Sequence, residues 1–288
     1  MKNKFPLSAY IELTKPRILG LVLVTTAIGF FLGGKGISSF PKLFVTLVGA
    51  GLVCAGASAL NQYLERDADS KMDRTKNRPI PTGVIPANNA MLFGIILVLF
   101  GILILAAQVN ILTAFLSLLT AFLYVLVYTP LKKISWLNTT IGAIPGAIPP
   151  MGGWAAARGE LDPGAWILFL ILFIWQHPHF YAIAWMFKED YKKGGFKMLS
   201  VLDPEGKKMF GQIKFFAILM IPVSLLPTMI GMSGKIYLYG ALILSIGLFL
   251  VARTFLLSKT FLDAQKLLRA TVIYLPILLF LIIFDVAF

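Results

Sequence analysis

Four oxygen-bearing side chains recur at intervals of four residues in one segment: Asn61, Glu65, Asp69 and Asp73. Residues four apart in a helix project from nearly the same side, so this spacing predicts a polar stripe on a helix. Like charges along one stripe destabilise an isolated helix, which makes sense if a cation bridges the carboxylates. Oxygen ligands suit Mg²⁺, which takes one or two carboxylates and completes its shell with water and substrate phosphates. The spacing therefore indicates magnesium chemistry.

Acidic and basic residues are mixed in two segments of the chain. Eight of the thirteen acids lie there: Glu65, Asp67, Asp69, Asp73, Glu189, Asp190, Asp203 and Glu205. The basic residues beside them are Arg74, Lys76, Arg78, Lys188, Lys192, Lys193 and Lys197. Carboxylates hold a metal, whereas guanidinium and ammonium groups take the remaining oxygens of a diphosphate. We predict a magnesium diphosphate site; an ordinary solvated loop of mixed charge is the alternative.

Membrane-spanning helices must position these residues. The chain is 58% hydrophobic and 14% charged with a mean hydropathy of +0.83, far from the composition of a soluble domain. We predict one all-α integral membrane domain over residues 1–288, a helical bundle of about nine spans. The predicted spans are Ile18–Leu32, Leu43–Gln62, Ala90–Gln108, Ile111–Tyr128, Asn138–Trp154, Ala165–Phe187, Ile213–Ile230, Ile236–Ala252 and Ala270–Phe284. Cys54 is the only cysteine, which excludes an internal disulfide and a thiolate metal site built from this chain alone.

Lysine and arginine are distributed unequally between the two sides of the predicted bundle. Only Lys35, Lys42, Arg158 and Lys235 fall opposite the basic segments. The positive-inside rule then predicts a cytoplasmic amino terminus, and an odd number of spans predicts a carboxyl terminus outside the cell membrane. The net charge of +13 is explained by anionic lipid or a phosphorylated substrate, so no nucleic-acid partner is expected.

Two stretches resemble a known enzyme family. The run from Asn61 through Glu65, Asp67 and Asp69, followed by Arg74-Thr75 and Asn77-Arg78-Pro79, resembles the first motif of the UbiA-type membrane prenyltransferases. The run from Trp175 to Phe180, with Asp190-Tyr191 after it, is similar to the protoheme IX farnesyltransferase (heme O synthase) branch of that family.

The resemblance implies a nine-span bundle around a central cavity, with magnesium as cofactor. Heme B and farnesyl diphosphate would be the substrates, and heme O and pyrophosphate the products. The implied catalytic residues are Asn61, Glu65, Asp67, Asp69, Arg74, Arg78, Asp190 and Tyr191. Of the predicted substrate-binding residues, His177 and His179 are implied by the resemblance. The others are predicted from their positive charge beside the acids: Lys76, Lys188, Lys192, Lys193 and Lys197. The implied metal ligands are Asn61, Glu65, Asp69 and Asp190.

The chain departs from the family pattern at two positions. Glu65 stands where the general pattern has Asp, and Met186 stands where the second motif has its first Asp, four residues before Asp190. Asp190 is then the main carboxylate of the second motif, which leaves one or two metal ions open. His177 and His179 flank Pro178 in an apolar span; one of them is expected to ligate or position heme, or else to have a structural or proton-handling role.

Other functions and partners remain open from the sequence. A UbiA-type enzyme for an aromatic acid or quinone precursor would use the same diphosphate chemistry. A membrane transporter would also contain polar residues and broken helices, but its polar residues are expected near the bilayer midplane. Membrane lipid is an expected partner, and the branch implies heme A synthase or a terminal oxidase as further partners. The prenyl chain length and the oligomeric state are left open.

Overall fold

The computed structural model describes residues 6–286, which fold as an all-helical chain. The helices are α1 Pro6–Leu13, α2 Pro16–Gly33, α3 Phe40–Asp69, α4 Ala87–Gln108, α5 Ile111–Phe122, α6 Thr129–Leu131, α7 Asn138–Arg158, α8 Pro163–Met186, α9 Lys188–Lys193, α10 Leu199–Leu202, α11 Lys207–Met229, α12 Lys235–Ser258 and α13 Phe261–Phe284. A π-helical segment, Leu123–Tyr128, joins α5 to α6. The predicted fold class is confirmed.

Residues 6–286 contain eight helical stretches that are long and apolar enough to cross a membrane, the fourth running through α5, the π-helical segment and α6. Helix α7 is the ninth long helix, with Pro145, Pro149 and Pro150 inside it. Its 21 residues would extend about 31 Å, close to the roughly 30 Å thickness of a bilayer core. The total agrees with the predicted nine spans, and the chain is a multi-pass membrane protein.

Helix α3 is longer than the sequence predicted. The predicted span ended at Gln62, whereas the helix continues to Asp69 and has 30 residues. At 1.5 Å per residue it extends about 45 Å, so its last turns continue beyond the roughly 30 Å hydrocarbon layer. Asp73 lies outside the helix, in the turns that follow, so the helical stripe ends at Asp69.

Close contacts between backbones hold together the first half of the bundle, which comprises helices α1 to α7. Helix α3 packs on α4, where a Cβ added to Gly56 would lie 2.5 Å from the carbonyl oxygen of Gly94. Helix α2 packs on α7, where a Cβ on Gly29 would overlap the carbonyl oxygen of Pro150. Small residues allow the two backbones to approach this closely. Because the hydrophobic effect does not drive helices together in lipid, van der Waals contacts at such points stabilise the packing.

Helix α8 is the central element of the second half, which comprises helices α8 to α13. It packs against α7, α11 and α13, and most of its buried apolar residues belong to the main apolar cluster of the described residues. The loops that carry the predicted site meet at one end of the bundle, where the backbone N–H of Lys197 donates to the carbonyl oxygen of Lys132 (2.7 Å). Arg158 pairs with Asp162 at the opposite end, between α7 and α8.

Two glycines of α2 provide a matched test of this packing. We expect Gly29→Val to destabilise the protein, because the added atoms meet the backbone of α7; overpacking of this kind costs about 1–3 kcal/mol, and more where backbone must move. Gly20→Val is the control, since no atom lies within 4 Å of a Cβ at Gly20. Thermal unfolding of the detergent-solubilised proteins measures the difference. Equal melting temperatures for the two variants would contradict the close α2–α7 contact.

Candidate active site

Three of the predicted site residues form a buried polar stripe on α3. Asn61, Glu65 and Asp69 are 1%, 5% and 0% exposed. They follow one another at successive turns, so one helix carries all three side chains on the same face. Two carboxylates in a buried setting require compensation, because an unpaired charge is costly away from water. The three residues that the sequence places four apart therefore lie close together in the structure.

A cation from a different part of the chain contacts each residue of the stripe. Lys15 Nζ donates to Asn61 Oδ1 (2.6 Å), and it precedes α2. Lys132, after α6, pairs with Glu65 Oε1 (2.7 Å). Arg78, from the loop after α3, pairs with Asp69 Oδ2 (2.6 Å). The stripe and these three cations, which we call the carboxylate cluster, comprise Lys15, Asn61, Glu65, Asp69, Arg78 and Lys132.

One buried oxygen of the carboxylate cluster is unpaired among residues 6–286. Oδ1 of Asp69 has no hydrogen-bond partner there, although Oδ2 of the same carboxylate is paired with Arg78. An unsatisfied buried oxygen is rare and calls for an explanation such as an ion. The donor set of one amide and two carboxylates is of the type that Mg²⁺ prefers. The residues present therefore fit a magnesium ion, although residues 6–286 contain no group of three His, Cys, Asp or Glu arranged to hold a metal.

The π-helical segment places aromatic residues beside the carboxylate cluster. Thr129 Oγ1 accepts from Asn61 Nδ2 (2.9 Å) and donates to the carbonyl oxygen of Tyr124 (2.8 Å). Lys15 Nζ also contacts the Tyr124 hydroxyl (3.2 Å), and Lys132 Nζ lies 4.6 Å from the Tyr128 ring centroid. Segments of π-helix are frequent at functional sites.

Sequence reasoning missed Lys15, Lys132 and Tyr124 as site residues. The available signal was that each lysine directly adjoins an apolar span on the side where the basic residues collect. Tyr124 lies within an apolar span, and nothing in the sequence indicates its contact with Lys15. Lys15 is 46 residues from Asn61 and 109 residues from Tyr124 along the chain, so only the fold brings the three together.

The two cluster lysines respond differently to burial. Burial acts to lower the pKa of Lys132, but the Glu65 carboxylate and the neighbouring tyrosines outweigh it and raise the pKa above its usual value. Burial lowers the pKa of Lys15 to about 7, with the positive charge of Arg78 acting in the same direction. The Glu65 carboxylate therefore favours the charged form of Lys132, whereas burial disfavours the charged form of Lys15.

The second segment contacts the first through its backbone. Asp190 Oδ1 accepts from the N–H of Asp73 (3.3 Å), and Oδ2 accepts from the N–H of Arg74 (3.1 Å). Lys193 and Lys76 both pair with Asp73, at 2.6 and 2.7 Å, and these hydrogen bonds lower the pKa of Asp73 to about 2. Asp190 thus lies beside the first segment, as predicted, but its oxygens face amide groups and not the stripe.

The remaining predicted residues lie around this junction of loops. Arg74 lies over the rings of Phe187 and Tyr191, 5.3 and 5.8 Å from their centroids. Lys188 Nζ lies 4.8 Å from the Trp185 ring centroid. Three predicted residues are exposed, and no contact of their side chains with the cluster is found among residues 6–286: Asp67, Lys192 and Lys197. The backbone of Lys197 does reach the cluster, through its N–H to the carbonyl oxygen of Lys132. The side chain of Asp67, predicted as catalytic, is 76% exposed, and its Oδ1 lies 3.8 Å from Arg66 Nε.

The two histidines lie on different sides of α8. His177 is fully buried; its Nδ1 contacts the carbonyl oxygen of Phe173 (2.8 Å), and its ring stacks on Phe216 of α11. His179 faces α13, where its Nδ1 contacts Thr271 Oγ1 (2.9 Å). Two positions along a helix differ by about 200°, so the pair does not converge on one point.

Two cavities lie away from the carboxylate cluster. One, of about 390 Å³, is at the opposite end of the bundle and includes Lys35, Trp154 and Arg158 in its lining. The other, of about 420 Å³, borders Tyr10 and Phe93 on the outer surface. Neither cavity is lined by a residue of the carboxylate cluster. The candidate active site is therefore identified from its buried charged residues and not from the size of a cavity.

Comparison with known proteins agrees with this geometry. Residues 22–281 match the model of the UbiA prenyltransferase family. A protoheme IX farnesyltransferase of Solibacter usitatus is 45% identical over 285 residues, which cover 96% of this chain and 98% of that protein.

Two solved structures share the fold. One is a digeranylgeranylglyceryl phosphate synthase, with a TM-score of 0.82 at 22% identity, over 97% of this chain and 98% of the other. The second is a UbiA homolog from Archaeoglobus fulgidus bound to DMAPP and Mg²⁺, with a TM-score of 0.67 at 17% identity, over 95% of this chain and 98% of the other. The chain is an integral membrane prenyl-transferring enzyme and belongs to the UbiA prenyltransferase family.

Proposed function

We propose that this enzyme transfers the farnesyl group of farnesyl diphosphate to a vinyl group of heme B, giving heme O and pyrophosphate. The observation that carries the proposal is the carboxylate cluster, in which two cations from separate elements pair with two buried carboxylates and Lys15 contacts the Asn61 amide beside them. The name and 45% identity of the Solibacter usitatus relative support heme as the acceptor. Family membership favours prenyl transfer over the transporter alternative.

Magnesium fits the cluster through Asn61, Glu65 and Asp69. The unpartnered Oδ1 of Asp69 supports this assignment, as does the Mg²⁺ bound in the Archaeoglobus fulgidus homolog. Bound magnesium would supply Lewis-acid stabilisation of the departing diphosphate. Asp190, the fourth ligand predicted from the sequence, accepts from the N–H groups of Asp73 and Arg74 and so supports the loops. Each of its oxygens has a further lone pair, so Asp190 stays a predicted ligand.

The chain's own cations complete the stabilisation of the leaving group. Ionisation of the allylic carbon–oxygen bond leaves a delocalised farnesyl cation and places negative charge on the diphosphate. Lys132 and Arg78 lie at the buried stripe, and Arg74 lies over the rings of Phe187 and Tyr191 at the junction of the loops. Cations fixed before the reaction stabilise developing charge without reorganisation at the moment of bond breaking. Lys76 and Lys193, both near Asp73, would attract the diphosphate at the entrance.

The acceptor step needs apolar surroundings. The vinyl carbon of heme B forms the new carbon–carbon bond with the farnesyl cation, and water then adds to give the hydroxyethyl group. No covalent enzyme nucleophile is required. A central cavity would hold the isoprenoid away from competing water, and the apolar span around His177 and His179 would hold the porphyrin. One of these imidazoles would bind or orient the heme iron.

An aromatic acid or quinone precursor is the alternative acceptor. The same carboxylate cluster would serve that reaction, because the leaving group is unchanged. The two histidines of α8 and the name of the Solibacter usitatus relative favour heme. Heme A synthase or a terminal oxidase as recipient of the product remains a prediction from the resemblance.

The first test is product analysis. We expect the purified wild type, given reduced heme B, farnesyl diphosphate and Mg²⁺, to form heme O detectable by mass spectrometry. Asp69→Asn should lower the rate about 10²–10³-fold, the loss typical when a preorganised electrostatic contact is removed. Glu205→Gln is the control, because Glu205 is an exposed carboxylate whose ion pair within residues 6–286 is with the exposed Lys207, away from the cluster.

Two results of this assay would contradict the proposal in different ways. Wild-type turnover by Asp69→Asn would remove the carboxylate cluster from the reaction. Prenylation of a phenolic acceptor in place of heme would retain the site and overturn the assignment of heme B.

Adjacent lysines test the buried ion pair. Lys132 is 13% exposed and paired with Glu65, whereas Lys133 is exposed. We expect Lys132→Met to lower kcat/KM for farnesyl diphosphate, because one leaving-group cation is lost. It should also cost about 3–5 kcal/mol of stability, as is typical when one partner of a buried pair is removed. Lys133→Met should match the wild type in activity and thermal unfolding; parallel losses in both variants would oppose a specific role for Lys132.

Labelling of single cysteines tests the proposed orientation. The amino terminus and the site are expected on the cytoplasmic side and the carboxyl terminus outside, although residues 1–5 and 287–288 lie outside the described residues. In a Cys54→Ser background, a membrane-impermeant maleimide added to intact cells should label Ser38→Cys and not Lys71→Cys. Both positions are exposed, at opposite ends of α3. Labelling of only Lys71→Cys would invert the orientation.

A further inference from the structure

His179 belongs to a hydrogen-bonded group between α8 and α13. Its Nδ1 lies 2.9 Å from Thr271 Oγ1, and Thr271 is fully buried. Trp175 Nε1 donates to the carbonyl oxygen of Thr271 (2.8 Å), so α8 contacts the same residue of α13 twice. The Trp175 and His179 rings stack at 5.0 Å with planes 23° apart. Both the position and the plane of the imidazole are therefore held.

The hydroxyl of Thr271 determines which nitrogen of His179 carries the proton. Thr271 Oγ1 donates its single hydrogen to the carbonyl oxygen of Leu268 (2.7 Å), which has no proton to offer in return. Toward His179 the same oxygen is left as an acceptor, so Nδ1 must be the donor. The lone pair of the neutral imidazole is then on Nε2. This is the arrangement by which a buried partner prepares a histidine for metal ligation.

His177 is less suited to bind iron. Its Nδ1 also donates to a carbonyl, that of Phe173, but its Nε2 faces the Thr140 hydroxyl at 3.4 Å. Its ring stacks on Phe216 with centroids 3.6 Å apart, and the residue is 0% exposed. His179 is partly exposed, and among residues 6–286 no hydrogen bond is recorded at its Nε2. Because a planar porphyrin needs open space beside the ligating nitrogen, His179 is better suited than His177 to bind the heme iron.

His179 also lies at a suitable depth. It precedes the end of α8 at Met186 by seven residues, and Asn61 precedes the end of α3 at Asp69 by eight. At 1.5 Å per residue each lies about 10–12 Å along its own helix from that helix's loop end. His179 and the carboxylate cluster are therefore both in the parts of α8 and α3 that lead to the loops.

We propose that Thr271 is a positioning residue that holds His179 with its Nε2 lone pair free to ligate the iron of the heme substrate. The inference rests on the proposed function. Thr271 does not touch heme; it acts through the imidazole, and Trp175 keeps the ring plane. His177 is assigned to packing between α7, α8 and α11.

The test is heme binding, measured by absorbance spectra and titration of the purified full chain with heme B alone. We expect Thr271→Val, which keeps the shape but removes the hydroxyl, to weaken heme binding about 10–100-fold, as loss of an outer partner of a ligating histidine does. Its Soret and visible bands should shift toward those of heme without that ligand. Thr271→Ser, which keeps the hydroxyl, should retain wild-type bands and affinity.

Chemical rescue separates ligation from folding. His179→Gly should lose the ligand bands and regain them on addition of imidazole, whereas His177→Ala should keep them. Wild-type spectra and affinity in Thr271→Val, or loss of the bands in His177→Ala only, would overturn the inference. If the wild type forms heme O while Thr271→Val binds heme normally, the proposed function stands and only the inference falls. A wild type that neither binds heme nor forms heme O would overturn both.

Discussion

Burial of two carboxylates at the end of one helix is the constraint on which the site depends. Glu65 and Asp69 are 5% and 0% exposed, and a carboxylate in such surroundings is stable only when a cation and hydrogen bonds compensate it. Lys132 and Arg78 provide that compensation from outside α3. The bundle therefore has to bring the start of α2, the end of α6 and the loop after α3 to one place.

The same constraint links stability to the proposed chemistry. The cations that neutralise the stripe are of the kind that would receive a departing diphosphate, and the unpartnered Oδ1 of Asp69 leaves room for a further cation. A site assembled in this way is charged, buried and ion-paired before the substrate arrives. Such preorganisation is the main source of electrostatic stabilisation in enzymes.

In the second half of the bundle, helix packing and hydrogen bonds hold the histidines of α8 in place. Helix α8 packs among α7, α11 and α13, and its histidines are separated by the turn of the helix. His177 is enclosed by aromatic packing, whereas the hydroxyl and carbonyl of Thr271 contact His179 and Trp175. The loops join the halves through Asp190, which binds two backbone amides of the first segment. The site thus depends on both halves, although the buried charge belongs to the first.

The sequence by itself determined the membrane bundle, the end at which the charged residues collect and the spacing of Asn61, Glu65 and Asp69. Apolar length, basic asymmetry and helical periodicity are local properties, so they can be read without a fold. Only the tertiary structure decided that Lys15 and Lys132 reach the stripe, and that Asp190 binds backbone. Those contacts join residues far apart in the chain, and their geometry depends on how helices pack, which periodicity does not encode.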